Sequence, residues 1–177
     1  MERTDKWYVV YTRPGQEQKV CDSLRRKKID SFYPVNKLVK SSYGKQRTSF
    51  KPLIERYVFV HIAQTQMEET KNVRGVVSFV YWLSQPIIIE QDDIYLMKRF
   101  CNTHDDLHLE RIKVIPSEPA FISTRFSDHD TELVNFHFPV LGYNMIAEES
   151  KARVKIITIT DYQAKTETSN SKYAETR

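Results

Sequence analysis

Arg56-Tyr57-Val58-Phe59-Val60-His61-Ile62 is the stretch on which the fold turns. β-Branched and aromatic residues fill it, no Gly or Pro interrupts it, and Pro52 stands upstream; together these predict a central β-strand. Side chains alternate across a strand. Val58, Val60 and Ile62 therefore share an aliphatic face, and Tyr57, Phe59 and His61 an aromatic one. The aliphatic face suits packing beneath helices. The aromatic face carries polar tips and suits a partner as well as it suits a core. The strand by itself leaves both readings open.

Upstream, Lys6 to Thr12 reads as a first strand that ends at the turn Arg13-Pro14-Gly15. A helix follows over 16–29, with Val20, Cys21 and Leu24 as its buried stripe. Its basic end, Arg25 to Lys28, suits either the helix dipole or an anion. Phe32 to Val39 reads as a second strand, leading to a basic hairpin tip at Ser41 to Arg47 with Lys37, Lys40 and Lys51 nearby. That tip is either a solvated loop or a probe for phosphates. Downstream come a short helix over 64–73, a strand over 76–82, a short extended piece at Pro86 to Ile89 and a third helix over 90–101. Ile94, Met97 and Cys101 form its apolar stripe, and Leu96 and Phe100 make it wider than one contact needs.

These elements predict an α/β (α+β) fold, a mainly antiparallel sheet with packed helices, over residues 1–101. Residues 102–116 read as a linker. From 117 to 160 short strands at 120–123, 133–138, 144–147 and 153–159 suit a small β-barrel. The polar stretch 161–177 reads as a disordered tail.

The chain has 177 residues and a net charge of +4, unevenly placed. Residues 1–56 hold 14 Lys/Arg against 6 Asp/Glu, which suits a polyanion or acidic partner there, or a solvated surface. No apolar run is long enough for a membrane span and no secretion signal is visible, so a cytoplasmic protein is expected. Cys21 and Cys101 read as small buried apolar residues rather than a disulfide or a metal pair. Only 4 Gly occur, without a phosphate-binding glycine loop. His104 and His108, at i and i+4, are the nearest approach to a metal site, yet no general base accompanies them. Nucleophile elbows, kinase motifs and CxxC pairs are absent. A binding protein without cofactor or metal therefore fits better than an enzyme.

Several segments together resemble the NusG-like transcription elongation factors. Trp7 to Glu17 is similar to the opening strand, turn and helix start of that family's N-terminal domain. Pro52 to Val60 is similar to its central strand motif, and Arg74-Gly75-Val76 with Phe79-Val80 to its last strand. Length and divergence resemble the specialised antiterminators of RfaH and UpxY type, the UpxY group most, which is associated with surface-polysaccharide operons. The resemblance implies a monomeric factor that binds the clamp helices of the largest RNA polymerase subunit and suppresses pausing and termination. By position, Tyr11, Ile54, Tyr57, Phe59, Ile94 and Met97 would form the polymerase-binding surface. Arg13, Ser23, Arg26, Lys27 and Arg74 would face the non-template DNA strand, with Lys45 and Arg47 on upstream duplex. Residues 117–160 would be a divergent KOW-like barrel. Its usual partners in the family are a ribosomal protein or Rho, and the missing glycine pattern gives them no residue here. The competing reading is a free-standing nucleic-acid-binding module that stacks bases on the aromatic sheet face.

Overall fold

The structure is a computed structural model that describes residues 5–126 and 131–150. In chain order the strands and helices are β1 (Lys6–Thr12), α1 (Glu17–Arg26), β2 (Asp30–Phe32), β3 (Val35–Ser42), β4 (Lys45–Pro52), β5 (Tyr57–Ile62), α2 (Met67–Lys71), β6 (Val76–Phe79), β7 (Tyr81–Trp82), β8 (Gln85–Pro86), β9 (Ile88–Ile89), α3 (Gln91–Thr103), β10 (His108–Arg111), β11 (Phe121–Phe126), β12 (Thr131–Phe138) and β13 (Tyr143–Ser150).

β5 lies inside the sheet, as its composition predicts. The strand order is β2-β5-β1-β6, with β9 also on β1, and the pairings are antiparallel. β1 and β5 run in register with Trp7 opposite His61, Val9 opposite Phe59 and Tyr11 opposite Tyr57. Alternation then sorts the side chains into two cores. Val10, Val58, Val60 and Ile62 pack with Val20, Cys21 and Leu24 of α1. On the opposite face Trp7, Val9 and Phe59 pack with Ile94, Met97 and Phe100 of α3. Each fully buried side chain of this size contributes about 1.5–3 kcal/mol.

Several boundaries differ from expectation: the strand expected over 76–82 is divided into β6 and β7, and two further differences have local reasons. The expected strand 32–39 is two strands, because Pro34 lacks an N–H and its carbonyl instead accepts from Leu53 N–H at 2.8 Å. α1 stops at Arg26, since Lys28 turns left-handed (φ 60°) and Ile29 N–H returns to the Leu24 carbonyl at 3.0 Å. The basic hairpin is present as β3–β4, closed by Tyr43 and Gly44 at φ 49° and 72°, the geometry of a tight two-residue turn.

Residues 102–116, expected as a linker, are partly regular. They carry the last two residues of α3 and all of β10. β10 shows no sequence periodicity because its four side chains stay exposed, and backbone pairing to β13 places it. The second sheet has the order β10-β13-β12-β11, antiparallel throughout. The strand expected over 153–159 and the tail 161–177 lie outside the described residues.

Gly142 holds the turn between β12 and β13 at φ +69°. A Cβ there would lie 2.7 Å from Val114 Cγ2 and 2.9 Å from the Ile112 carbonyl oxygen. Gly142→Ala is therefore expected to destabilise the second sheet by about 1–3 kcal/mol, read as a lowered thermal midpoint.

Candidate functional site

The aromatic face of β5 is where the two sheets meet. The rings of Tyr11 and Tyr57 contact edge to face at 5.6 Å, and Tyr57 meets Tyr143 of β13 at 6.2 Å. Phe59 stacks on Phe32 at 5.0 Å and tilts against Phe138 of β12 at 6.1 Å. Phe100 of α3 lies 5.6 Å from Phe136. Residues Phe136, Phe138, Tyr143, Met145 and Ala147 share one face of the second sheet, and that face lies on the first.

The six residues expected to form a polymerase surface are thus gathered into one apolar region. Ile54, Phe59, Ile94 and Met97 are each 0% exposed, however, and only Tyr11 and Tyr57 reach an edge. The expected open patch is a covered one. The reason is physical: the alternating apolar row of β12 and β13 needs burial, and the wide face of α3 and β5 supplies the area. The spacing of Phe136 and Phe138 marks an apolar face on β12, but nothing in the sequence says what that face covers.

Polar contacts fasten this closure. Asp93 Oδ1 accepts from Ala120 N–H at 3.1 Å, and burial pushes the Asp93 carboxyl above its usual range. His104, 8% exposed, places Nδ1 2.9 Å from Glu149 Oε1. Burial pulls its ring below its ordinary pKa, against the opposing pull of Glu149. Burial, with Tyr57 alongside, pushes the Tyr143 phenol up to about 12.

Tyr11 has its own support. Arg56 sits left-handed at φ 68°, its guanidinium lies 4.2 Å from the Tyr11 ring centre, and its Nε–H donates to Thr12 O at 3.2 Å. Glu17 Oε1 accepts the Arg56 backbone N–H at 2.7 Å. Glu17 is buried at 3% exposure, so it anchors the loop as well as opening α1. The edge of the covered region is a cleft of about 420 Å³ lined by Tyr11, Arg56, Tyr57, Arg111 and Tyr143, among others.

A second cleft, of about 630 Å³, opens on the α1 side of the first sheet. Arg13, Ser23, Arg26 and Arg74 line it together with Lys19. Arg26 donates to Ser23 Oγ at 3.0 Å, and Ser23 Oγ–H donates to the Lys19 carbonyl at 2.8 Å. Gly75 (φ +101°) closes the wall: a Cβ there would fall 2.9 Å from Val20 Cγ2. Four of the seven residues expected at DNA therefore converge. Lys27 stands apart, bonded to Glu69 Oε1 at 2.9 Å. Lys45 and Arg47 sit on the exposed β3–β4 hairpin.

The weaker metal reading finds no geometry. His104 faces Glu149 and Phe100, and His108 is on exposed β10. Among the described residues no three His, Cys, Asp or Glu side chains converge on a metal position. Burial pushes Cys21 up to about 11 and Cys101 up to about 12, so neither is a reactive thiolate at neutral pH. Among the described residues no helix is long and apolar enough to cross a membrane.

Known proteins are similar to this chain. A solved structure titled "Domain interaction in Thermotoga maritima NusG" matches with 18% identity and a TM-score of 0.48, over 88% of this chain and 98% of that one. The family described as "Transcription termination factor nusG" matches residues 5–98, more than half of the 177-residue chain. That span runs from β1 into α3 and holds the whole lining of the α1-side cleft and the Tyr11, Arg56 and Tyr57 side of the other. The chain belongs to the NusG family of transcription factors.

Proposed function

We propose that this protein is a specialised elongation factor of the RfaH and UpxY type, which docks on the clamp helices of RNA polymerase and suppresses pausing and termination in a surface-polysaccharide operon. Its docking surface is Tyr11, Ile54, Tyr57, Phe59, Ile94 and Met97. The observation that carries the reading is that these six positions lie on one side of the first sheet and α3, where Tyr143 and Phe138 of the second sheet cover Tyr57 and Phe59. Another apolar surface can take the place of that sheet. Docking on polymerase therefore requires the second sheet to leave, and the closed form described above is the resting form.

The non-template strand lies in the cleft of Arg13, Ser23, Arg26 and Arg74. Guanidinium groups supply phosphate contacts there and an affinity that falls with salt. Arg26→Gln with Arg74→Gln is expected to weaken single-stranded DNA binding and to flatten the salt slope by roughly 0.7 per lost phosphate contact. Anisotropy titrations across a range of salt read both quantities. Run-on transcription of the protein's own operon leader, with and without the protein, tests the function. Readthrough that does not rise with added protein overturns the antiterminator reading.

A further inference from the structure

The β3–β4 hairpin carries an unusual charge arrangement. Residues 31–54 contain Lys37, Lys40, Lys45, Arg47 and Lys51 and no Asp or Glu. The register places Lys40 directly opposite Arg47, and Asn36 opposite Lys51. Lys40, Lys45, Arg47 and Lys51 therefore share one face of the ribbon. Like charges directly opposite each other destabilise a strand pair, so this face is arranged for an anionic partner and not for the fold. A two-stranded ribbon of eight-residue strands, exposed along β4, also has the shape that enters a duplex groove.

Negative charge reaches this hairpin from a distant segment. Asn36 is 8% exposed and fixes that segment: its Nδ2 donates to Leu107 O at 2.7 Å, and its Oδ1 accepts from Leu107 N–H at 2.9 Å. The Asp106 N–H donates to Lys37 O at 2.9 Å. Two consecutive carboxylates then take up donors at the hairpin root. Asp105 Oδ2 accepts from Lys37 Nζ at 2.7 Å, and Asp106 Oδ1 accepts from the Val39 N–H at 3.1 Å. Asp106 sits at φ 50°, a left-handed conformation that costs energy outside glycine and that Asp tolerates best among charged residues. An ammonium and a backbone N–H side by side are the donors that nucleic-acid phosphates use.

We propose that the root of this hairpin, Lys37 Nζ with the Val39 N–H, is a phosphate site for duplex DNA, and that Asp105 and Asp106 occupy it as internal mimics of the phosphate. The inference rests on the reading that the hairpin cations contact duplex DNA. Lys37, opposite Phe50, belongs to the other face of the ribbon, and the masked site lies at the β3 edge away from β4, beside the four-cation face, which stays open in the closed molecule. Displacing the carboxylates extends the contact by at least one phosphate.

The test is anisotropy of a labelled random-sequence DNA duplex with the full chain, across a range of salt. Asp105→Asn/Asp106→Asn is expected to bind about 5- to 10-fold tighter near 0.1 M salt, with a slope steeper by about 0.9. Glu90→Gln/Asp92→Asn removes two exposed charges at the far end of α3 and is expected to change affinity less than about two-fold, since that distance exceeds the screening length. Lys37→Gln is expected to leave the wild-type affinity nearly unchanged and to cancel the gain in the Asn/Asn background, a non-additive pair. An Asn/Asn variant no tighter than the far-end control overturns the mask, as does a loss on Lys37→Gln in the wild type. Lys45→Gln/Arg47→Gln separates the two levels. If it fails to weaken binding, the hairpin reading itself falls and the mask with it; if it weakens binding while Asn/Asn has no effect, only the mask falls.

Discussion

Replacing both Phe136 and Phe138 with Ala is expected to tighten polymerase binding by up to about 100- to 1,000-fold. Both side chains are 0% exposed, and they carry the second sheet's contact with Phe100 and Phe59. A buried Phe→Ala change costs about 3–5 kcal/mol, and here much of that cost falls on the closed arrangement. Apparent affinity scales with the fraction of molecules whose docking face is open. The gain therefore stops once the face is fully open, which sets the upper bound. The measurement is the dissociation constant for core polymerase, with circular dichroism as a check that the first sheet persists. A weaker complex, with the first sheet intact, would mean that the second sheet contributes to polymerase binding and does not mask it.

The second large effect is expected from Tyr57→Ala in that opened background. Tyr57 contacts Tyr11 on one side and, when closed, Tyr143 on the other. Aromatic residues at the centre of an interface commonly cost about 2 kcal/mol or more when truncated, roughly a 30-fold loss. In the closed protein the same substitution also removes the Tyr143 contact, so loss of docking and loss of the mask oppose each other. The opened background separates them. Unchanged affinity there would remove Tyr57 from the docking surface.

Much of the first sheet was legible because its signals are local. Val58, Val60 and Ile62 alternate with Tyr57, Phe59 and His61; the aliphatic row lies in the core against α1, and Tyr57 and Phe59 of the aromatic row lie in or against the other core. Ile94, Met97 and Phe100 repeat at helical spacing and lie buried together. The convergence of Arg13, Ser23, Arg26 and Arg74 was accessible only through the family resemblance, because a loop, a helix and a strand entry contribute to it. Periodicity reports which face of an element is apolar and says nothing about which surface covers it. The cover over Phe59 was invisible for that reason, though Phe136 and Phe138 were recognisable as strand residues. Ion pairing across sequence distance was equally hidden. Lys27, expected to face DNA, also pairs with Glu69, 42 positions away, and the sequence carries no sign of that pair. Glu17 and Asp93, in the first turns of α1 and α3, both accept backbone N–H bonds from distant segments. β10 is the extreme case, a strand with no side-chain signal, fixed by its pairing with β13.

The central claim is that one face, built around Tyr57 and Phe59, contacts the second sheet at rest and the polymerase clamp helices at work. A photo-crosslinking residue at position 57 tests it most directly. Without polymerase it is predicted to crosslink within the chain, to the segment carrying Tyr143. With an elongation complex it is predicted to crosslink to the largest polymerase subunit, and the internal product is predicted to fall. A bound complex in which position 57 still crosslinks only to its own second sheet would contradict the account.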